Sequence, residues 1–229
     1  MENNDYVLKD GVSWEGVLKG VKKHPDKYQP IFEAFTNALE AVASRPHEPM
    51  NTGKIVVSFN YASDMYSDTS RLISISIEDN GIGFDDLNFN RLLRYKDTSK
   101  GFNNRGSGRL QYLHFFENTQ VQSVFKDEGQ LKKISFKMSK SAPYLTANSI
   151  VFFQSLEDLD TGNTGTRLEM INPLESKDQN IYRQITLEDF KAKILSRYML
   201  LFCVYRDDFP TITFRRIKDD AHVIEFATI

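Results

Sequence analysis

Hydrophobic and polar positions recur along this chain with the periods of helices in some segments and of strands in others. Between Tyr28 and Ser44, apolar side chains return every three or four residues, as on one face of a helix. Pro30 fits the first turn of such a helix, because the N–H that proline lacks has no helical partner there. The segment 54–61 is rich in β-branched residues and 71–79 alternates apolar with polar residues, so both predict strands. Together they predict a hairpin.

The same patterns predict the remaining elements. We expect helices at 87–95, 107–116 and 187–203, and strands at 119–125, 131–138, 149–154, 165–171, 211–217 and 222–228. Helices and hairpin strands are interspersed without a regular strand–helix–strand repeat. The sequence therefore predicts an α+β fold, a two-layer α/β sandwich in which a mixed, mostly antiparallel sheet is covered on one face by helices.

Composition narrows the classes of protein that this chain can represent. Of its 229 residues 40% are hydrophobic, with 17 Phe and 10 Tyr, which is enough for a sizeable core and argues against disorder. A net charge of −2 argues against a globally basic nucleic-acid-binding protein. The single cysteine, Cys203, excludes a disulfide framework, and its apolar neighbours predict a buried thiol. Without an apolar run of membrane-spanning length or a signal peptide, we expect a cytoplasmic protein that has no membrane contact.

Two polar residues interrupt the apolar pattern of the first predicted helix. Glu33 and Asn37 are four residues apart, so both project from one face. A carboxylate beside an amide oxygen suits a base and a metal ligand held one turn apart. Such a pair is also common on an ordinary solvated helix face, so this pair alone does not decide between the two interpretations.

Two glycine-containing segments follow. Asp79 ends a predicted strand and precedes Gly81 and Gly83, which allow the backbone to turn and to approach a ligand closely. An ordinary turn explains the same residues. The loop 97–109 leads into a helix, where free backbone N–H groups bind phosphate oxygens. A flexible surface loop is the alternative for that segment.

In this order, the segments resemble the motifs of the GHKL (Bergerat-fold) ATPase superfamily, which includes gyrase B, the large heat-shock chaperones, MutL, MORC proteins and histidine kinases. EAFTNALEA at 33–41 resembles its E-x-x-x-N-x-x-[DE]-A box, and DNGIG at 79–83 its D-x-G-x-G box. RGSGRL at 105–110 resembles the glycine-rich lid, although Leu110 stands where some members have a third glycine. GTRLEM at 165–170 resembles the Gly-Thr that opens a late strand.

The resemblance implies that the chain binds and hydrolyses ATP with Mg²⁺. Glu33 is then the general base, Asn37 binds the metal, and Asp79 accepts a hydrogen bond from the adenine amino group. Thr166 is the implied support of the adenine contact. The residues implied to surround the adenine base are Ala41, Gly81, Ile82 and Gly83. Those implied to contact the phosphates are Arg105, Gly106, Ser107 and Gly108. Lys100 is the implied catalytic cation of the lid, with Arg105 or Arg109 as the alternative.

The resemblance also implies an organisation. Residues 1–27 form an N-terminal arm, 28–175 the ATP-binding domain, and 176–229 either an extension of it or the start of a transducer-like region. We expect the N-terminal part of a longer protein, an ATP-driven switch that forms an ATP-dependent homodimer. Other regions of the full protein leave open a contact with nucleic acid.

Two alternatives stay open. The first is a nucleotide-binding interaction module that does not hydrolyse ATP, against which the presence of Glu33 argues. The second is the catalytic half of a histidine kinase. Such an enzyme needs a phospho-accepting histidine on a preceding helical hairpin, and the short segment ahead of Glu33 argues against that.

Overall fold

The computed structural model describes residues 13–63, 70–93, 108–219 and 222–229. Its helices are α1 (Trp14–Gly20), α2 (Gln29–Ala43), α3 (Asp86–Leu93), α4 (Arg109–Phe115), α5 (Ala142–Thr146), α6 (Ser176–Arg183), α7 (Leu187–Arg197) and α8 (Met199–Tyr205). Its strands are β1 (Lys54–Ser63), β2 (Ser70–Asp79), β3 (Phe116–Asp127), β4 (Gln130–Met138), β5 (Val151–Leu159), β6 (Gly165–Pro173), β7 (Thr211–Lys218) and β8 (His222–Thr228).

These strands form one sheet in the order β5-β4-β3-β6-β2-β1-β7-β8. Neighbouring strands are antiparallel except β1 and β7, which are parallel. The helices pack on one face, so the predicted two-layer α/β sandwich with a mixed, mostly antiparallel sheet is confirmed. Because β7 pairs with β1, the C-terminal strands continue the sheet to which β1 and β2 belong.

Side chains alternate between the covered and uncovered faces of the sheet, and α2 lies over its centre. In β1, Ile55, Val57 and Phe59 are fully buried, whereas Val56 and Asn60, which point to the opposite face, are only partly buried. Residues of α2 at the predicted helical spacing complete this core: Ile31, Phe35, Leu39 and Val42. The predicted hairpin of β1 and β2 is also present.

The predicted single helix at 187–203 is wrong, because α7 ends at Arg197 and α8 begins at Met199. Tyr198 between them is buried against α2, where its hydroxyl donates to the Phe32 carbonyl oxygen at 3.0 Å. After this break most of α8 turns its apolar side chains outward, and Leu200 is 77% exposed. Cys203 is therefore exposed, which corrects its predicted burial.

The sequence patterns did not predict the short helices α1, α5 and α6. One of them, α1, lies in the segment that we expected to be an arm, and residues 1–12 lie outside the described part. Ser13 caps α1 by accepting a hydrogen bond from the Gly16 backbone N–H at 3.2 Å. Trp14 and Leu18 bury the helix against the core. Within the described residues, no helix is both long and apolar enough to span a membrane.

A buried carboxylate attaches the segment before α2 to α6, and its removal should destabilise the protein. Asp178 has no exposed side-chain surface and pairs with Lys23 and with Lys27, whose Nζ lies 2.8 Å from Asp178 Oδ1. Asp178→Asn leaves Lys27 without its carboxylate partner and Lys23 with Glu175 alone, so we expect the free energy of unfolding to fall by about 3 kcal/mol. Urea denaturation measures this loss.

Glu15→Gln is the control for Asp178→Asn, because it removes an exposed ion pair, that with Lys19. Exposed pairs contribute little, so this variant should unfold like the original protein. Equal stability of both variants would contradict the account.

Candidate functional site

Three residues of α2 lie one turn apart along one side of the helix. Glu33, Asn37 and Ala41 are each separated by four positions, so about 12 Å of helix axis lies between the first and the last. This side therefore carries a carboxylate at one end, an amide in the middle and a small apolar residue at the other end.

The turn after β2 packs directly on the Ala41 end of α2. The Ile82 backbone N–H donates to the Ala41 carbonyl oxygen at 3.1 Å. A Cβ at Gly81 would lie 2.6 Å from Ala41 Cβ, and one at Gly83 would lie 2.1 Å from a backbone oxygen of β3. Gly83 also has a φ of +82°, which favours glycine. The glycines therefore allow the close approach of this turn to α2 and β3.

Asp79 is the last residue of β2 and lies beside Thr166 of β6, its antiparallel partner. Its Oδ1 accepts a hydrogen bond from the Gly81 backbone N–H at 2.8 Å, and the Thr166 backbone also donates to the carboxylate. Burial outweighs these two hydrogen bonds and raises the pKa of Asp79 to about 7. The carboxyl group is therefore only partly ionised at neutral pH, and a hydrogen-bond donor placed beside it would favour its ionised form.

Ser123 of β3 connects the elements around Thr166, and nothing in the strand pattern predicted this role. Its Oγ donates to the Gly165 carbonyl oxygen at 3.0 Å and accepts from the Phe84 backbone N–H at 2.8 Å. Thr166 Oγ1 lies 2.9 Å from Ser123 Oγ. Because the single Ser123 proton is directed to Gly165, the Thr166 hydroxyl is the donor of that pair.

Two neighbours hold the Glu33 carboxylate at the other end of α2. Gln29 Nε2 donates to Glu33 Oε1 at 2.7 Å. Gly108, just before α4, packs so closely that a Cβ there would lie 2.0 Å from Glu33 Oε2. Sequence reasoning missed Gln29, although its position one turn before Glu33 was a usable signal.

Asn37 is held by a residue of α4 that the sequence did not indicate. Its Nδ2 donates to the hydroxyl oxygen of Tyr112 at 3.3 Å, and only 2% of Tyr112 is exposed. Burial, reinforced by the negative charge of Glu33, raises the pKa of Tyr112 far above its ordinary range. The phenol therefore stays protonated, and Glu33, Asn37 and Tyr112 form one polar cluster.

The structure thus arranges the predicted site residues in two groups that the contact between Ala41 and Gly81 joins. The first group, along α2 and before α4, is Glu33, Asn37, Ala41 and Gly108. The second group, at the ends of β2 and β6, is Asp79, Gly81, Ile82, Gly83 and Thr166. The remaining predicted site residues lie outside the described part of the chain: Lys100, Arg105, Gly106 and Ser107. A groove of about 260 Å³ opens beside Asp79 and Thr166.

Comparison with known proteins gives no family for this chain. No protein-family model matches it, and no curated protein sequence does. Among the described residues, no group of three or more His, Cys, Asp or Glu side chains is arranged to hold a metal ion.

Proposed function

We propose that this domain binds ATP and hydrolyses it to ADP and phosphate. One observation carries the proposal: two partly buried, hydrogen-bonded carboxylates lie near opposite ends of one side of α2, with an amide between them. Asp79 is hydrogen-bonded to Gly81, which packs on the Ala41 end of α2, and Glu33 lies at the other end. This separation suits a nucleotide, which has a nucleobase at one end and phosphates at the other.

At the Asp79 end, the chemistry of the carboxylate favours adenine. An ionised Asp79 accepts a hydrogen bond from the exocyclic amine of adenine, whereas guanine has a carbonyl oxygen at that position and offers no donor. Thr166 supports this contact from the neighbouring strand. Ala41 and Ile82, with the close approach of Gly81 and Gly83, supply a small apolar surface for the base.

At the other end, Glu33 takes a proton from the attacking water. The water oxygen bonds to the γ-phosphorus while the bond to the β–γ bridging oxygen breaks, so the products are ADP and phosphate. Gln29 orients the carboxylate through its hydrogen bond to Oε1. Gly108 brings the backbone before α4 close to Glu33, and we retain Lys100, Arg105, Gly106 and Ser107 as proposed phosphate contacts.

Asn37 would hold Mg²⁺ through its Oδ1, since its Nδ2 is engaged by Tyr112. An amide oxygen is a suitable ligand for this hard cation, and phosphates and water supply the other oxygens. When bound, Mg²⁺ neutralises charge on the phosphates.

The wider role follows from the resemblance to GHKL ATPases. We propose a cytoplasmic, ATP-driven switch that forms a homodimer with ATP and belongs to the N-terminal part of a longer protein. Phosphate release with ATP and with GTP tests the proposed activity. We expect phosphate release from ATP but not from GTP. Equal rates with both nucleotides would contradict the role of Asp79.

Gly108→Ala tests whether the packing at the phosphate end serves catalysis. The new methyl group meets the end of a flexible side chain, so the fold should survive while the Glu33 carboxylate is displaced. We expect kcat to fall by about a hundredfold, because a misplaced general base loses most of its contribution. Gly20→Ala is the matched control, since no atom lies within 4 Å of its new Cβ. An unchanged kcat in Gly108→Ala would contradict this assignment.

A further inference from the structure

The side-chain amide of Asn37 has two ends that differ in chemistry but hardly in shape. Its oxygen can bind a cation, whereas its NH₂ group has no lone pair to offer. A half-turn about the last side-chain bond exchanges the two. A site that uses Asn37 as a metal ligand therefore needs a partner that holds the nitrogen away from the metal.

Tyr112 occupies the position of that partner. Its hydroxyl oxygen accepts the hydrogen bond from Asn37 Nδ2 at 3.3 Å. Its ring has no room to move aside, because it belongs to the hydrophobic core and is only 2% exposed. The flanking residues of α4, Leu113 and Leu110, are fully buried as well. Tyr112 is thus a hydrogen-bond partner in a fixed position on one side of the amide, and its hydroxyl oxygen is the acceptor of this hydrogen bond.

We infer that Tyr112 is a positioning residue, which orients the Asn37 amide so that Oδ1 faces the Mg²⁺ of the bound nucleotide. This inference rests on the proposed function, and it adds a residue that the GHKL-like motifs do not contain. Tyr112 itself touches neither nucleotide nor metal. It acts through Asn37, so its loss should weaken the contribution of Mg²⁺ and leave the contacts to adenine intact.

Tyr112→Phe tests this role, because it keeps the ring and removes the acceptor. The measurement is calorimetric binding of ATP at a series of Mg²⁺ concentrations and in excess EDTA. We expect the Mg²⁺ concentration at half-maximal enhancement of ATP affinity to rise about tenfold, as for other residues that orient a metal ligand. The affinity for ATP in EDTA should stay as in the original protein.

Tyr198→Phe is the matched control. It also removes a buried hydroxyl that is hydrogen-bonded to α2, but the partners of that hydroxyl are Phe32 and Thr36. It should leave the Mg²⁺ midpoint unchanged. An equal shift in both variants, or no shift in Tyr112→Phe, would overturn the positioning role while the proposed function stands. If the original protein shows no Mg²⁺-dependent affinity for ATP, the proposed function fails and the inference fails with it.

Discussion

Asp79→Asn is expected to abolish selective adenine binding and, in the absence of nucleotide, to make the protein more stable at pH 8. The first effect follows because the amide that replaces the carboxylate offers a weaker, neutral acceptor and an NH₂ group that opposes the adenine amine. The second follows because burial raises the pKa of Asp79 to about 7, so ionising this group costs free energy in the folded state. The carboxylate that adenine binding requires at position 79 therefore lowers the stability of the nucleotide-free protein.

The pH dependence of this effect has a definite sign. Between an unfolded-state pKa near 3.8 and the folded value of about 7, the folded protein binds a proton that the unfolded chain has lost. The contribution of Asp79 to stability therefore falls as pH rises through this window, and it is constant above it. Asp79→Asn lacks this loss, so its stability exceeds that of the original protein most above pH 7, by on the order of 4 kcal/mol.

Urea denaturation of both proteins at pH 5 and pH 8 measures this advantage. Asp160→Asn, on an exposed turn, is the control and should follow the original protein at both pH values. In parallel, the affinity of the original protein for ATP should fall as pH drops below 7, because the carboxylate becomes protonated. An Asp79→Asn variant that is no more stable at pH 8, or that still prefers ATP to GTP, would contradict the role of this residue.

Glu33→Gln should separate binding from hydrolysis. Glutamine keeps the size of the side chain, and its carbonyl oxygen can still accept the hydrogen bond that Gln29 donates to Glu33. It cannot take a proton from water, so we expect turnover to fall by about 10²- to 10⁴-fold while ATP affinity changes little.

Glu157→Gln is the control for Glu33→Gln, since it changes an exposed carboxylate of β5, an edge strand of the sheet that is distant from the strands beneath α2. It should keep full turnover. Undiminished turnover in Glu33→Gln would show that another group is the base. Tight ATP binding without turnover in the original protein would favour the non-hydrolysing module.

Much of the scaffold was predictable because its signals are local. The helix around Glu33 and the hairpin that ends at Asp79 each carry a sustained period, and both are present. The spacing that puts Glu33 and Asn37 on one side of α2 is likewise a property of the helix alone. The sequence therefore predicts the position of a residue when that position depends only on the helix or strand to which the residue belongs.

Roles that depend on contacts between distant elements were not accessible in this way. The break at Tyr198 arises from its hydrogen bond to α2, and no glycine or proline marks it. Tyr112 and Ser123 belong to ordinary apolar and alternating patterns, and only the packing of α4 and the register of β3 bring them to Asn37 and Thr166. Sequence spacing carries no information on such contacts.

Calorimetric titration of the purified protein with ATP and with GTP, each in the presence of Mg²⁺, tests the central claim most directly. We expect measurable binding of ATP, little or none of GTP, and loss of the ATP signal in Asp79→Asn. Absence of ATP binding in the original protein, or equal affinity for the two nucleotides, would contradict it.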